Sequence, residues 1–187
     1  MFRKLTNAAD AMTIAPGMAM ISLSAIALGA AFGGYLPLIA LWMETLEVSF
    51  QQIGIVSGTS ALGIICSAYF APQLAQKYGY VVTINIGLVL AAVMTVLFRY
   101  TENYAAWLAI RFVGGLGLGL HWVLTEAWLA NIVSDHGRTR VMAIYATAIS
   151  VGFAAGPAII WLLGFSTPTP FYLIGTFLLI AAWPIYR

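Results

Sequence analysis

Long apolar stretches without acidic or basic residues alternate with short polar connectors along the whole chain. Five such stretches stand out: Ala11–Met43, Val48–Gln76, Tyr78–Phe98, Asn103–Thr125, which is interrupted by Arg111, and Val141–Tyr186. An α-helix needs about 20 apolar residues to cross the hydrocarbon core of a bilayer. The last stretch is long enough for two such helices and is divided by a Pro/Ser/Thr-rich turn at 164–170. The pattern therefore predicts an all-α integral membrane protein with six transmembrane helices.

The six predicted spans form a single transmembrane domain that covers residues 1–187. They lie at about 18–42, 53–70, 82–98, 105–128, 141–163 and 171–186. Hydrophobic residues make up 62% of the chain and charged residues only 7%, whereas a typical soluble domain is about a quarter charged. This composition excludes a water-soluble fold. The single cysteine, Cys66, lies in the second span and is expected to pack as a small apolar side chain.

Basic residues are distributed unequally between the two sides of the predicted bundle. One side holds six of them: Arg3, Lys4, Lys77, Arg138, Arg140 and Arg187. The connectors on the other side carry Arg99 alone, together with the acidic Glu44, Glu47 and Glu102. Cytoplasmic connectors of membrane proteins are enriched in lysine and arginine. We therefore predict that both termini are cytoplasmic, in a bacterial-type inner membrane.

Small residues are concentrated in the first and fourth spans. Gly29 and Gly33 are four residues apart in the first span, and Gly115 and Gly119 have the same spacing in the fourth. Such spacing lets helix backbones approach closely, and close packing is the simpler interpretation of each glycine. The two spans are also the first members of two three-helix units that cross the membrane in opposite directions. The sequence therefore predicts two inverted repeats, an arrangement typical of secondary transporters.

Arg111 occupies the most costly position in the chain. An arginine near the middle of a bilayer costs at least about 2.5–3.5 kcal/mol, so it should face a polar cavity or a partner. Helical spacing places five residues on roughly one face of the fourth span: Arg111, Gly115, Leu118, Trp122 and Glu126. This face is the predicted transport path, with the arginine towards the outside and the carboxylate towards the cytoplasm.

Two further ionisable residues in the fourth span have competing interpretations. Glu126 is predicted either to bind a proton or solute or to form a structural ion pair with Arg138, Arg140 or Lys77, and the ion pair is the simpler alternative. His121 points about 80° away from Arg111 on the helical wheel. It is either a proton carrier, since histidine titrates near neutral pH, or a packed side chain that donates to a backbone carbonyl.

Three motifs, in this order along the chain, resemble the N-terminal six-helix half of the major facilitator superfamily. Residues 72–80 align with the superfamily's cytoplasmic loop through Leu74, Gln76, Lys77 and Gly79. The fourth span matches its Arg-x-x-x-Gly-x-Gly signature through Arg111, Gly115, Gly117 and the following Gly119. The fifth span matches a Gly-x-x-x-Gly-Pro core through Gly152, Gly156 and Pro157. The resemblance covers essentially the whole chain.

The resemblance implies a role for each motif. In the superfamily the arginine is linked to proton-coupled transport, and the Gly-Pro motif is associated with antiporters. Pro157 removes one helical hydrogen bond, so a bend there would serve as part of a gate. The loop holds an ion-pair latch in the family, but here Gln76 stands in place of its acidic residue. Glu126 with Lys77 or Arg140 is the expected substitute.

The resemblance also implies that this chain needs a second six-helix half. Superfamily members rock two such halves around a central site. The chain ends where the family's first half ends, which favours the first half of a longer polypeptide; a separately encoded second half and a homodimer are the alternatives. We expect secondary transport of a small solute, through proton-coupled efflux. A lining of alanine, glycine and aliphatic residues favours an amphipathic or hydrophobic solute.

Other function classes have less support in the sequence. A six-helix oligomeric channel needs rings of polar side chains, and a non-transporting membrane fragment is the remaining alternative. An enzyme is not expected, because no nucleophile elbow accompanies His121. Two histidines and one cysteine are too few and too scattered for a metal site. We find no nucleotide-binding loop and predict no cofactor and no nucleic-acid partner.

Overall fold

Six α-helices make up the computed structural model, which describes the backbone of residues 7–132 and 135–182 and side chains over 22–128 and 139–182. They are α1 (Asn7–Thr45), α2 (Phe50–Tyr78), α3 (Tyr80–Phe98), α4 (Tyr104–Ile132), α5 (Asp135–Leu163) and α6 (Thr169–Ala182). No strand occurs in these ranges. The all-α, six-helix prediction is confirmed.

Five of the helices are long and apolar enough to cross a bilayer. Their apolar segments are Ser22–Thr45, Phe50–Tyr78, Tyr80–Phe98, Tyr104–Trp128 and Thr139–Leu163, with mean hydropathies from 1.4 to 2.5. The described part of α6 is a shorter apolar helix of 14 residues. Each predicted span overlaps one helix, and residues 183–186 of the sixth span lie outside the described range.

The second helix extends further than the sequence indicated. We expected a connector at 72–80, but α2 continues through Pro72 to Tyr78 and places Leu74, Gln76 and Lys77 on its last two turns. Gly79 alone then joins α2 to α3. Its φ of 86° lies in the left-handed region, and its N–H donates to the carbonyl of Ala75. Glycine adopts this conformation without a steric penalty, so the direction of the chain changes within one residue.

The helix neighbours reproduce the predicted inverted repeat. The main partners of α1 are α5 and α6, those of α4 are α2 and α3, and α3 also contacts α6. Exchanging α1 with α4, α2 with α5 and α3 with α6 maps the α1–α5 pair onto α4–α2 and the α1–α6 pair onto α4–α3. Three-helix units related in this way are typical of transporter folds. The two central helices are thus α1 and α4.

Glycine contacts in the α1–α5 pair follow this symmetry. A Cβ at Gly29 or Gly33 of α1 would overlap the carbonyls of Ile149 and Phe153 on α5. From the other side, a Cβ on Gly152 would overlap the carbonyl of Ile26. Only glycine permits backbones to approach this closely.

The α2–α4 pair is built in the same way. A Cβ at Gly115 would overlap the carbonyl of Ser60, and one at Gly119 would overlap the hydroxyl of Ser67. Gly29 and Gly33 stand 86 residues before Gly115 and Gly119 (115 − 29 and 119 − 33). Corresponding glycines of the two repeats therefore make corresponding contacts, which supports a packing role for this motif.

Burial differs between the central and the flanking helices. In the apolar segments, 61% of α1 and 56% of α4 is buried, against 28% of α2 and 22% of α5. Large apolar side chains are exposed on both flanking helices, among them Leu62, Ile65, Val151 and Trp161. The core accordingly lies between α1, α3, α4 and α6.

Candidate functional site

Arg111 is buried where α1, α2 and α4 meet. Its side chain is 1% exposed, and the guanidinium carbon lies 4.6 Å from the ring centroid of Tyr35 on α1. Nε donates to the carbonyl of Val56 at 3.4 Å and Nη2 to the carbonyl of Ser57 at 3.5 Å, both on α2. Two long hydrogen bonds and the face of the Tyr35 ring thus stabilise the guanidinium charge. Its Nη1 has no hydrogen-bond partner among the described residues.

The glycines of α4 explain how Arg111 reaches the backbone of α2. Gly115 lies one turn beyond Arg111 and touches Ser60 of α2, which is one turn beyond Val56. The two helices run in the same direction, so the arginine meets α2 one turn before the glycine contact. In the Arg-x-x-x-Gly spacing, the glycine therefore brings α4 close to α2, and the arginine one turn earlier donates hydrogen bonds to the backbone of α2.

Glu126 and Trp122 form an exposed pair near the other end of α4. The indole Nε1 of Trp122 donates to Oε1 of Glu126 at 2.8 Å. Trp122 is 43% exposed, and its ring meets Phe32 of α1 edge to face, with ring centroids 5.5 Å apart. The pair joins a carboxylate to two aromatic side chains on the accessible side of the central helices.

Tyr145 of α5 borders this pair. It lies within electrostatic reach of Glu126 and packs with Ala25 and Ala148 in a small apolar cluster, against which Trp128 rests. We refer to Phe32, Trp122, Glu126 and Tyr145 as the aromatic–carboxylate cluster. Its residues come from three helices, α1, α4 and α5.

The expected ion pairs of Glu126 are absent among the side chains that the structure describes. Arg140 is exposed and pairs with no carboxylate there, and the ammonium of Lys77 lies 4.9 Å from the ring centroid of Tyr78. The side chain of Arg138 falls outside the described range. Glu126 is therefore exposed without a described cationic partner, which differs from the structural ion pair that the sequence favoured.

His121 is buried rather than accessible. It is 1% exposed, and Nδ1 lies 3.3 Å from the hydroxyl of Thr125, one turn further along α4. Nε2 finds no partner among the described atoms. The expected donation to a backbone carbonyl is replaced by this side-chain contact, and the histidine lies outside the aromatic–carboxylate cluster.

The predicted common face of α4 is divided by its neighbours. Arg111, Gly115 and Leu118 are buried, whereas Trp122 and Glu126 are exposed. The contacts of α2 with Gly115 bury the N-terminal part of this face. Leu118 borders a small cavity with Tyr35 and Ile174 among its lining residues. A helical wheel predicts which way each side chain points, but it does not predict which side chains are buried by neighbouring helices.

The remaining motif residues occupy packing and surface positions. Gly117 faces Gly87 of α3, and Gly156 faces Ala30 and Gly34 of α1, so a Cβ on either would overlap backbone atoms. Pro157 lies inside α5 and is exposed. Sequence reasoning missed Tyr35, Phe32 and Tyr145, because only their contacts across helices distinguish them from other aromatic residues.

At the end of the bundle that carries Arg99, side-chain contacts join the α3–α4 connector to α1 and α6. The Arg99 guanidinium carbon lies 3.9 Å from the ring centroid of Trp42, whose ring meets Phe171 edge to face. The hydroxyls of Tyr100 and Tyr172 are hydrogen-bonded to each other. That hydrogen bond is the main reason why the pKa of the Tyr100 phenol is raised above its ordinary value.

Comparison with known proteins now decides the family. Residues 21–187 match the sequence profile of the Major Facilitator Superfamily, which is nearly the whole chain. The chain belongs to the Major Facilitator Superfamily. Members of this superfamily are transporters rather than enzymes, and the apolar helices identify an integral membrane protein.

Two similar superfamily members are known from bacteria. The chain is 26% identical to the uncharacterized MFS-type transporter YfkF of Bacillus subtilis (strain 168) over 149 residues, or 80% of this chain and 38% of that protein. It is 26% identical to the quinolone resistance protein NorA of Staphylococcus aureus (strain Mu50) over 144 residues, 76% of this chain and 37% of that protein. The chain thus spans less than two-fifths of the length of these superfamily relatives.

Proposed function

We propose that this chain forms the N-terminal six-helix half of a secondary transporter that moves a small solute across a bacterial-type inner membrane. One observation carries the proposal. The apolar helices α2 and α5, which occupy equivalent positions in the two repeats, are the least buried of the long helices. Two symmetry-related faces of this kind suit a second six-helix unit, and rocking between two such units gives alternating access.

The second unit is proposed to be a similar six-helix half. It is either the continuation of this polypeptide, a separate chain or a second copy of this chain. The length of YfkF and NorA that lies beyond the match supports continuation, since the chain accounts for 38% and 37% of those proteins. In each case the partner covers the exposed apolar side chains of α2 and α5, while the outer sides of α3 and α6 face lipid.

The direction and the coupling ion are proposed to be efflux in exchange for protons. The name of NorA, a quinolone resistance protein, supports efflux. Glu126 is the proposed proton-binding group, because it is an exposed carboxylate close to the end of a membrane-spanning helix. Among the described residues, Tyr145 is the ionisable side chain within electrostatic reach of Glu126. Both termini are proposed to be cytoplasmic on the distribution of basic residues.

Arg111 and Glu126 are proposed to have different roles in transport. Buried Arg111 holds α2 against α1 and α4 through Val56, Ser57 and Tyr35. It acts on the solute path through the position of these helices. Glu126, in contrast, contacts the solute or the proton directly. His121 remains a second proposed site on the proton path, reached only when α4 moves relative to its neighbours.

A flux measurement on the assembled protein tests this proposal. The chain is reconstituted with its second six-helix unit into vesicles, and loss or uptake of a fluorescent amphipathic solute is followed under an imposed pH gradient. We expect solute movement that follows the gradient and stops when a protonophore removes it. Ion conductance without solute coupling would identify a channel instead, and gradient-independent leakage equal to that of empty vesicles would reject transport.

A further inference from the structure

Glu126 carries an exposed negative charge that the described residues leave without a cationic partner. One hydrogen bond, from the Trp122 indole, reaches its Oε1. An ionised carboxylate within a membrane-spanning segment is costly unless it meets water, a charge partner or a ligand. The site is thus able to accept one positive charge.

The surroundings of this carboxylate are aromatic rather than rich in oxygen ligands. Trp122 is held by two directed contacts, its hydrogen bond to Glu126 and its edge-to-face contact with Phe32. Much of the ring is still exposed. A fixed, accessible indole ring attracts a cation within about 6 Å of its centroid.

We infer that Trp122 and Glu126, supported by Phe32 and Tyr145, bind a monovalent organic cation with apolar or aromatic substituents. The inference rests on the proposed function, since it names the solute class of the same site. A single carboxylate neutralises one charge, and aromatic rings replace the hydration shell of a weakly hydrated cation.

Other ligand classes fit these residues less well. Mg²⁺ and Ca²⁺ require several oxygen ligands at short distance, and the structure brings no group of three metal-ligating side chains together within the described ranges. An anion would be repelled by Glu126. A neutral apolar solute would leave the exposed carboxylate uncompensated, at a cost that an organic cation removes.

A matched pair of ions tests the charge preference. Tetraphenylphosphonium and tetraphenylborate have nearly the same shape and opposite charge. Equilibrium dialysis measures the binding of each to the assembled protein, this chain with its second six-helix unit, in nanodiscs of zwitterionic lipid, with empty nanodiscs as the blank. We expect saturable binding of tetraphenylphosphonium above the blank and none of tetraphenylborate.

Two substitutions locate the site. Glu126→Gln keeps the shape and removes the charge, so tetraphenylphosphonium binding should weaken by at least about tenfold, as expected for loss of a charged contact. Trp122→Leu removes the ring and should weaken binding by about three- to tenfold. Glu102→Gln, which removes an exposed charge from the connector between α3 and α4, serves as the control and should leave binding within about twofold of the unsubstituted protein.

The outcomes separate this inference from the proposed function. Equal binding of tetraphenylphosphonium by Glu126→Gln and the unsubstituted protein, or no saturable binding at all, would overturn the cation site. Flux of a neutral solute in that case would leave the proposed transport intact. Glu126-dependent binding without flux of any solute would support the cation site and reject transport.

Discussion

The indole nitrogen of Trp122 donates a 2.8 Å hydrogen bond to the carboxylate of Glu126 one turn further along α4. This contact fixes an exposed charge beside an exposed ring. Arg111, which the sequence places on the same side of the same helix, is buried against Tyr35 and the carbonyls of α2. The two charged side chains of α4 therefore support different predictions.

Replacing Glu126 with glutamine should abolish most coupled transport without unfolding the protein. The amide still accepts the Trp122 hydrogen bond, but it carries no charge and binds no proton. We expect gradient-driven flux to fall by at least about tenfold, while the thermal midpoint in detergent stays within about 2 °C. Glu102→Gln is the matched control. Unimpaired flux in Glu126→Gln vesicles would remove this carboxylate from the transport path.

Replacing Arg111 should stop transport by loosening α2. Arg111→Ala removes the cross-helix hydrogen bonds to the Val56 and Ser57 carbonyls, and Arg111→Lys cannot form the same two-pronged contact. We expect flux to be abolished in the alanine variant and reduced by at least about tenfold in the lysine variant, with membrane insertion intact.

The effect on α2 can be measured with a cysteine probe. Exposed Cys66 is first changed to alanine, and Ser57→Cys then reports maleimide access beside Arg111. Labelling of Ser57→Cys should be faster in the Arg111→Ala background than with the arginine present. Full flux with unchanged labelling would show that the contacts of Arg111 with Val56 and Ser57 are not required.

Two glycines offer a matched test of helix packing. A Cβ at Gly115 would overlap the backbone of Ser60, whereas a Cβ at Gly58 of α2 meets no atom within 4 Å. Gly115→Ala should destabilise the bundle by about 1–3 kcal/mol, and Gly58→Ala should stabilise it by about 0.5–1 kcal/mol, because alanine favours the helix. Thermal melting in detergent measures both. Equal midpoints would contradict the close α2–α4 contact.

A side chain at Gly79 should lower the stability of the bundle. At its φ of 86° an L-residue is strained, so Gly79→Ala should cost about 1–3 kcal/mol although a Cβ there would meet no neighbouring atom. Gly54→Ala, at an uncrowded helical position of α2, is the control. A thermal midpoint for Gly79→Ala equal to that of the control would show that the α2–α3 turn adjusts freely.

The predicted orientation can be tested by labelling from one side. In a Cys66→Ala background, Glu102→Cys should react with an impermeant maleimide in intact cells, and Gln76→Cys should react only after permeabilisation. Both positions are exposed, so access depends on the side of the membrane. The reverse pattern would invert the bundle and place the termini outside.

The number and order of helices were predictable because each depends on local composition. Apolar length predicted each of the six helices, and the glycine spacing in the first and fourth spans indicated the repeat. The helical end of α2 was missed, since Pro72 and the polar residues after it resemble a connector; in the structure the helix runs on until Gly79 turns the chain.

The site was only partly predictable. Arg111 and Glu126 stand out in the sequence because charges are rare in apolar helices. Their exposure depends on which helix covers which side of α4, and that is a property of tertiary packing. The contacts of Trp122 with Phe32 and of Arg111 with Tyr35 join residues far apart in the chain, and no spacing rule connects them.

The 86-residue offset between the glycine motifs also pairs Arg111 with Ala25 (111 − 86). Arg111 binds α2 through two carbonyls and contacts the ring face of Tyr35 on α1, whereas Ala25 meets α5 in an apolar cluster with Tyr145 and Ala148. One repeat therefore has a charged contact between helices where the equivalent position of the other has apolar packing alone. The internal symmetry of the fold is thus kept in its glycine contacts and broken at this pair of positions.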